Sequence, residues 1–219
     1  MLKKAEIQKV LEILEKTYGN TGTALKFRTP FQLLVATMMA AQSTDKQVNK
    51  ITEKLFQQYP NPQSFLKLDV TELEEKIKGV GLYRNKARNI LATAQKIVKD
   101  YGGKVPQSRG ELMKLPGVGR KTANVVLSIA FNHDAIAVDT HVFRVANRIG
   151  LAEAKTPLET ERQLMKNIPK EKWSQAHHWL IWHGRQICRA QNPRCQVCPL
   201  TPYCRFYQKA QKKQSDSQR

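Results

Sequence analysis

Carboxylates are the scarce side chains of this sequence. Eighteen Asp and Glu stand against 37 Lys and Arg in 219 residues, a formal net charge of +19. That excess goes beyond what solubility requires and excludes a charge-balanced surface. A polyanion is the natural partner, nucleic acid first, although a membrane surface or a ribosome carries the same sign. The shortage is most complete near the end: from Trp173 to Ser215 there are seven Lys or Arg and no carboxylate. Long apolar runs are missing as well. The longest, Phe31 to Ala41, is too short to span a bilayer. The N-terminus passes from Met1-Leu2-Lys3-Lys4 straight into an amphipathic pattern, without the apolar core of a signal peptide. A cytoplasmic protein is expected.

Strand-like alternation is nearly absent, which excludes a β architecture and leaves helical periodicity. Ile7, Val10, Leu11 and Leu14 give a first helix one apolar face, with a stop near Gly19. Thr29-Pro30-Phe31-Gln32 combines an N-cap, a proline at the first helical position and a glutamine able to close a capping box. Thr71 to Glu74 and Ser108 to Glu111 read as further boxes, and Thr156-Pro157-Leu158-Glu159 repeats the Thr-Pro device. The expected fold class is all-α, with roughly ten short helices.

Cysteine is confined to one window, Cys188, Cys195, Cys198 and Cys204. Disulfides need an oxidising compartment, which the missing signal peptide argues against. Four thiolates within seventeen residues suit a tetrahedral zinc or an iron–sulfur cluster. Only one C-x₂-C pair is present where zinc sites more often use two, so the spacing favours the cluster. Arg185, Arg189, Arg194 and Arg205 surround the window and could offset thiolate charge or touch a phosphate backbone. His177, His178 and His183 lie beside Trp179 and Trp182 in a helical pattern and read as packed histidines.

Leu115-Pro116-Gly117-Val118-Gly119-Arg120-Lys121-Thr122-Ala123 carries the strongest local signal. Two glycines permit positive φ and close backbone approach, so neighbouring amides can converge on an anion, and the following helix adds its positive end. Lys121 sits in that field beside Arg120. Both disfavour the protonated amine, the direction that a lysine nucleophile requires; phosphate binding is the plainer role for the same cation. The turn has an echo 38 residues earlier, Lys78-Gly79-Val80-Gly81-Leu82-Tyr83, with Tyr83 in the place of Lys121.

Taken together, Leu115 to Ala123, Val138-Asp139-Thr140-His141 and the C-x₆-C-x₂-C-x₅-C spacing resemble the endonuclease III family of base-excision DNA glycosylases. The likeness extends to Ala41-Gln42-Ser43-Thr44-Asp45, Gly81-Leu82-Tyr83 and His177-His178-Trp179-Leu180. The resemblance implies a two-domain helix–hairpin–helix glycosylase fold with a C-terminal 4Fe–4S cluster loop. It implies a helical barrel domain at 22–133 and a second domain from 1–21 and 134–210 holding the cluster; the residues of 211–219 themselves read as a disordered basic tail. The implied activity is removal of oxidised pyrimidines from duplex DNA, followed by strand cleavage at the abasic site. Lys121 and Asp139 are then catalytic, and Asp139 also suits an N-cap. Gln42, Leu82, Gly117, Val118, Gly119, Arg120, Arg189 and Arg194 contact DNA. Cys188, Cys195, Cys198 and Cys204 hold the cluster. A nucleoid-associated monomer acting on damaged or abasic duplex DNA is expected. The adenine-mismatch branch shares the hairpin, the aspartate and the cysteines but typically lacks the lysine present here as Lys121.

Overall fold

The computed structural model describes residues 1–216, and among them it has twelve α-helices, two 3₁₀ turns and no strand. Helix α1 (Lys4–Tyr18) buries Ile7, Val10, Leu11 and Leu14 and stops at Gly19, whose φ of 52° returns its amide to the Glu15 carbonyl. At the start of α2 (Pro30–Ala40), Thr29 Oγ1 accepts the Gln32 amide at 3.2 Å. The Gln32 side chain does not close a box on Thr29; its Oε1 accepts the Arg28 amide at 2.9 Å. Thr44 caps α3 (Asp45–Gln58), and α4 (Pro62–Phe65) adds a single turn.

Helix α5 (Val70–Ile77) begins before the expected box at Thr71, because Asp69 and Glu72 satisfy each other's backbone amides at 2.8 and 2.9 Å. After α6 (Tyr83–Tyr101) comes α7 (Arg109–Leu112), capped by Ser108. Half of its expected box is missing: the Glu111 carboxylate turns to Tyr101 and Lys114, both at 2.7 Å. The series closes with α8 (Arg120–Phe131), α9 (Thr140–Ile149), α10 (Pro157–Asn167), α11 (Trp173–Gln186) and α12 (Arg205–Asp216).

Contacts divide the chain into two compact units, Met1–Gly22 with Asp134–Arg219, and Thr23–His133. The centre of the second is α2, which packs on α3, α6 and α8. It buries every residue from Phe31 to Met39, and each fully buried leucine there stabilises by about 2 kcal/mol. In the first unit α11 packs on α9 and α1. Trp179 is fully buried and donates Nε1–H to the Gly19 carbonyl at 2.7 Å. Gly184 allows α9 and α11 to close together, since a Cβ there would come within 3.0 Å of His141 Cβ.

The tail differs from expectation. Residues 211–216 continue α12 as helix, and 217–219 lie outside the described residues. The helix is anchored at its start, where Arg205 pairs with Glu6 at 3.1 Å and Phe206 lies under the Arg148 guanidinium at 4.7 Å. Its Gln, Lys and Ala residues are good helix formers. Among the described residues no helix is long and apolar enough to cross a membrane.

Candidate functional site

The hairpin lies between α7 and α8. Leu115 and Val118 are buried, and the Val118 amide closes the turn on the Leu115 carbonyl at 3.1 Å. Thr93 Oγ on α6 donates to the Pro116 carbonyl at 2.8 Å, which fastens the turn to that helix. Of the two glycines only Gly117 uses left-handed backbone, at φ 73°; a Cβ there would also strike Asn89 Cβ at 2.9 Å. Gly119 is extended, caps α8 without a side chain and has open space where a Cβ would stand. Its value is therefore access rather than conformation. Arg120 is half-buried and Lys121 exposed, both in the first turn of α8.

The echoed turn is built differently. Gly81 donates its amide to Ser43 Oγ at 2.9 Å, so this copy is closed against the loop that follows α2. The residues expected to enter DNA, Gln42 and Leu82, sit on these two loops. Both are exposed, and both hold left-handed backbone, φ 57° and 56°. Neither residue type favours that region, and such strain persists where the surroundings enforce it.

Asp139 caps α9. One carboxylate oxygen, Oδ1, accepts the Val142 amide at 2.8 Å, and the side chain is half-buried. The same helix supports the cysteine loop. Arg144 donates Nε–H to the Cys188 carbonyl at 3.0 Å and Nη2–H to the Gly184 carbonyl at 3.0 Å. One turn on, Arg148 donates to the carbonyls of Arg189 at 2.6 Å and Ala190 at 2.9 Å, and Nη1 lies 3.6 Å from Cys188 Sγ. The arginines named from sequence did not include these two. Their i, i+4 spacing beside Asp139 was the available signal. Arg189 and Arg194 are exposed, whereas Arg205 is engaged by Glu6 and Arg185 stacks on Trp182 at 5.6 Å.

Cys188, Cys195, Cys198 and Cys204 line one small pocket with His183, Arg194, Phe206 and Tyr207. Among the described residues no three or more His, Cys, Asp or Glu side chains are gathered to hold a metal ion. A tetrahedral zinc would draw its sulfurs to about 2.3 Å from one centre. Four cysteines lining one pocket are the donor set of an iron–sulfur cluster that brings its own iron and sulfide atoms, and of such a zinc alike. Burial pushes the Cys198 thiol up to about 11 and raises those of Cys195 and Cys204. His183 is buried, and its Nε2 lies 3.6 Å from Cys198 Sγ while Nδ1 lies 3.0 Å from the Tyr18 hydroxyl. No local pattern announces that contact, which joins residues far apart in the chain. His177 and His178 are buried side by side, ring centroids 4.9 Å apart.

Residues 35–170 match the model of the HhH-GPD superfamily of base excision DNA repair proteins. Endonuclease III of Bacillus subtilis (strain 168) is 50% identical over 214 residues, spanning 97% of this chain and 98% of its own. Endonuclease III of Haemophilus influenzae is 43% identical over 210 residues, 96% of this chain and 100% of its own. Among solved structures, a trapped endonuclease III–DNA covalent intermediate in an estranged-adenine complex is 48% identical with a TM-score of 0.92, covering 96% of this chain and 100% of that one. A thermostable thymine-DNA glycosylase is 25% identical with a TM-score of 0.85, covering 94% and 98%. Identity of this order across nearly the whole length, on the same helical fold, means that the chain belongs to the endonuclease III family of the HhH-GPD superfamily.

Proposed function

We propose that this chain removes oxidised pyrimidines from duplex DNA and then cuts the strand at the abasic site by β-elimination, working as a monomer in the cytoplasm on the nucleoid. One observation carries the reading. Lys121 is an exposed amine in the first turn of α8, directly behind a glycine hairpin whose helix N-terminus has no side-chain cap.

A base stacked in a duplex is out of reach, so the nucleotide is turned out at a cost of about a few kcal/mol. Gln42 and Leu82 fill the gap. Gly117, Val118, Gly119 and Arg120 hold a phosphate through backbone amides and the helix dipole, and Arg189 and Arg194 take further phosphates. The Lys121 lone pair attacks C1′ of the deoxyribose. The C1′–N bond breaks, its electron pair leaves with the base, and the base gains a proton. The amine then loses its proton and the sugar ring opens to a Schiff base. Loss of a proton from C2′ forms a C2′–C3′ double bond and expels the 3′ phosphate. Water hydrolyses the Schiff base and returns the lysine. Asp139 stabilises positive charge on the sugar and assists the proton transfers.

Cys188, Cys195, Cys198 and Cys204 would hold a 4Fe–4S cluster. When bound it ties down the loop carrying Arg189 and Arg194 and supplies no step of base removal.

The test is a duplex containing one thymine glycol, incubated with the protein and run on a denaturing gel without alkali. Release of thymine glycol with a nick on its 3′ side is expected. A strand that breaks only after hot alkali would reduce the assignment to base removal alone. No release of base would overturn it.

A further inference from the structure

Lys86 lies on α6, one turn after Leu82, and is 7% exposed. Its Nζ donates to the Met39 carbonyl at 2.7 Å, to the Ala41 carbonyl, and to Ser43 Oγ at 3.4 Å. These partners are neutral oxygens at the end of α2 and in the loop after it. Burial accordingly pushes the Lys86 ammonium below the usual lysine range. A buried cation without a carboxylate is costly, and capping a helix end does not require one. Helices α1, α6 and α9 close on Gly19, Gly102 and Gly150.

The placement says what the cation accomplishes. Ala41 immediately precedes Gln42, and the Lys86 backbone amide donates to the Leu82 carbonyl at 3.1 Å. Ser43, which Lys86 also touches, accepts the Gly81 amide. At Gly81 a Cβ would stand 2.9 Å from the Gln42 carbonyl oxygen, so the two loops meet in backbone contact. The Lys86 side chain thus ties the first turn of α6, directly after Leu82, to the loop of Gln42, and each loop presents an exposed side chain from left-handed backbone.

We infer that Lys86 is a positioning residue for base extrusion: it clamps the loops of Gln42 and Leu82 together so that both tips are set before DNA arrives. The inference rests on the proposed glycosylase reading and adds a residue that touches neither base nor sugar. Its mark is a loss confined to lesions that must be pulled from the stack. Lesions already outside the helix need no wedge.

The test is single-turnover excision by Lys86→Met on two duplexes, one with a paired thymine glycol and one with the lesion in a single-nucleotide bulge. A 2-aminopurine beside the lesion reports unstacking. Excision from the paired duplex should fall by about tenfold or more, the scale of losing charged hydrogen bonds, with a matching loss of 2-aminopurine signal. The bulged substrate should be cut within about threefold of the unaltered rate. If Lys86→Met does not fold, Ser43→Ala removes only the hydroxyl shared by Lys86 and Gly81 and should give the same bias at smaller size. Equal losses on both substrates, or none on either, would overturn the inference. If the unaltered protein excised neither lesion, the parent reading would fail and take this one with it.

Discussion

Asp139 accepts the Val142 amide at 2.8 Å, so the carboxylate assigned to the chemistry also starts helix α9. The two duties separate by substitution. Asparagine caps a helix about as well as aspartate, whereas alanine costs about 1 kcal/mol. Asp139→Asn should therefore melt close to the unaltered protein and Asp139→Ala a few degrees lower. Both should lose base excision by about a hundredfold or more. A fully active Asp139→Asn would leave the residue with capping alone.

The two hairpin glycines should respond in opposite ways. Gly117→Ala forces a side chain into φ 73° and against Asn89, a loss of about 1–3 kcal/mol in urea unfolding. Gly119→Ala meets neither obstacle and should cost under about 1 kcal/mol. Its methyl group stands beside the amides proposed to receive phosphate, so DNA affinity should drop although the fold holds. Wild-type affinity in Gly119→Ala would remove the phosphate from this turn.

Much of this architecture is legible in the sequence because its signals are local. Thr29, Thr44 and Thr156 cap the helices they precede, and the apolar faces of α1 and α2 are buried as their spacing requires. The sequence is silent where tertiary packing decides. Lys86 reads as one more polar residue on a helix, and only the approach of Met39, Ala41 and Ser43 makes it a buried cation. Gln42 and Leu82 carry no preference for left-handed backbone; the loops impose it. Thr71 looked like a cap until Asp69 took Glu72, and the basic end looked too polar to order until Arg205 found Glu6.

Stripping the proposed cluster should loosen one loop and leave the fold. The core of that unit is formed by α1, α9, α10 and α11, with Cys188 and Cys198 packed at its edge. After iron chelation and oxidation, limited proteolysis should cut first between 188 and 204 while most of the helical circular dichroism remains. DNA affinity should fall with a shallower salt dependence as the phosphate contacts proposed for Arg189 and Arg194 are lost. Cooperative unfolding of the whole chain would contradict this.

Acid should destabilise the protein through its buried and half-buried histidines. Burial lowers the pKa of His141 and His178 from 6.5, and that of His183 to about 4. Below pH 6.5 the unfolded chain binds protons that the folded state refuses, so stability is greatest above that pH and falls as pH drops toward the folded values. For His183 the window runs from 6.5 to about 4. Urea unfolding at pH 7.5 and 5.5 should show the decline, and His178→Gln should make it shallower. An equal decline in that variant would clear His178 of any part in it.

Every step proposed after base extrusion passes through a covalent bond between Lys121 and deoxyribose. The most direct measurement adds borohydride to the protein and a duplex containing one thymine glycol, then looks for protein fixed to the strand. A trapped complex is expected in the unaltered protein and none in Lys121→Gln that still binds the duplex. Trapping at full yield in Lys121→Gln, or none by a folded, DNA-binding unaltered protein, would contradict it.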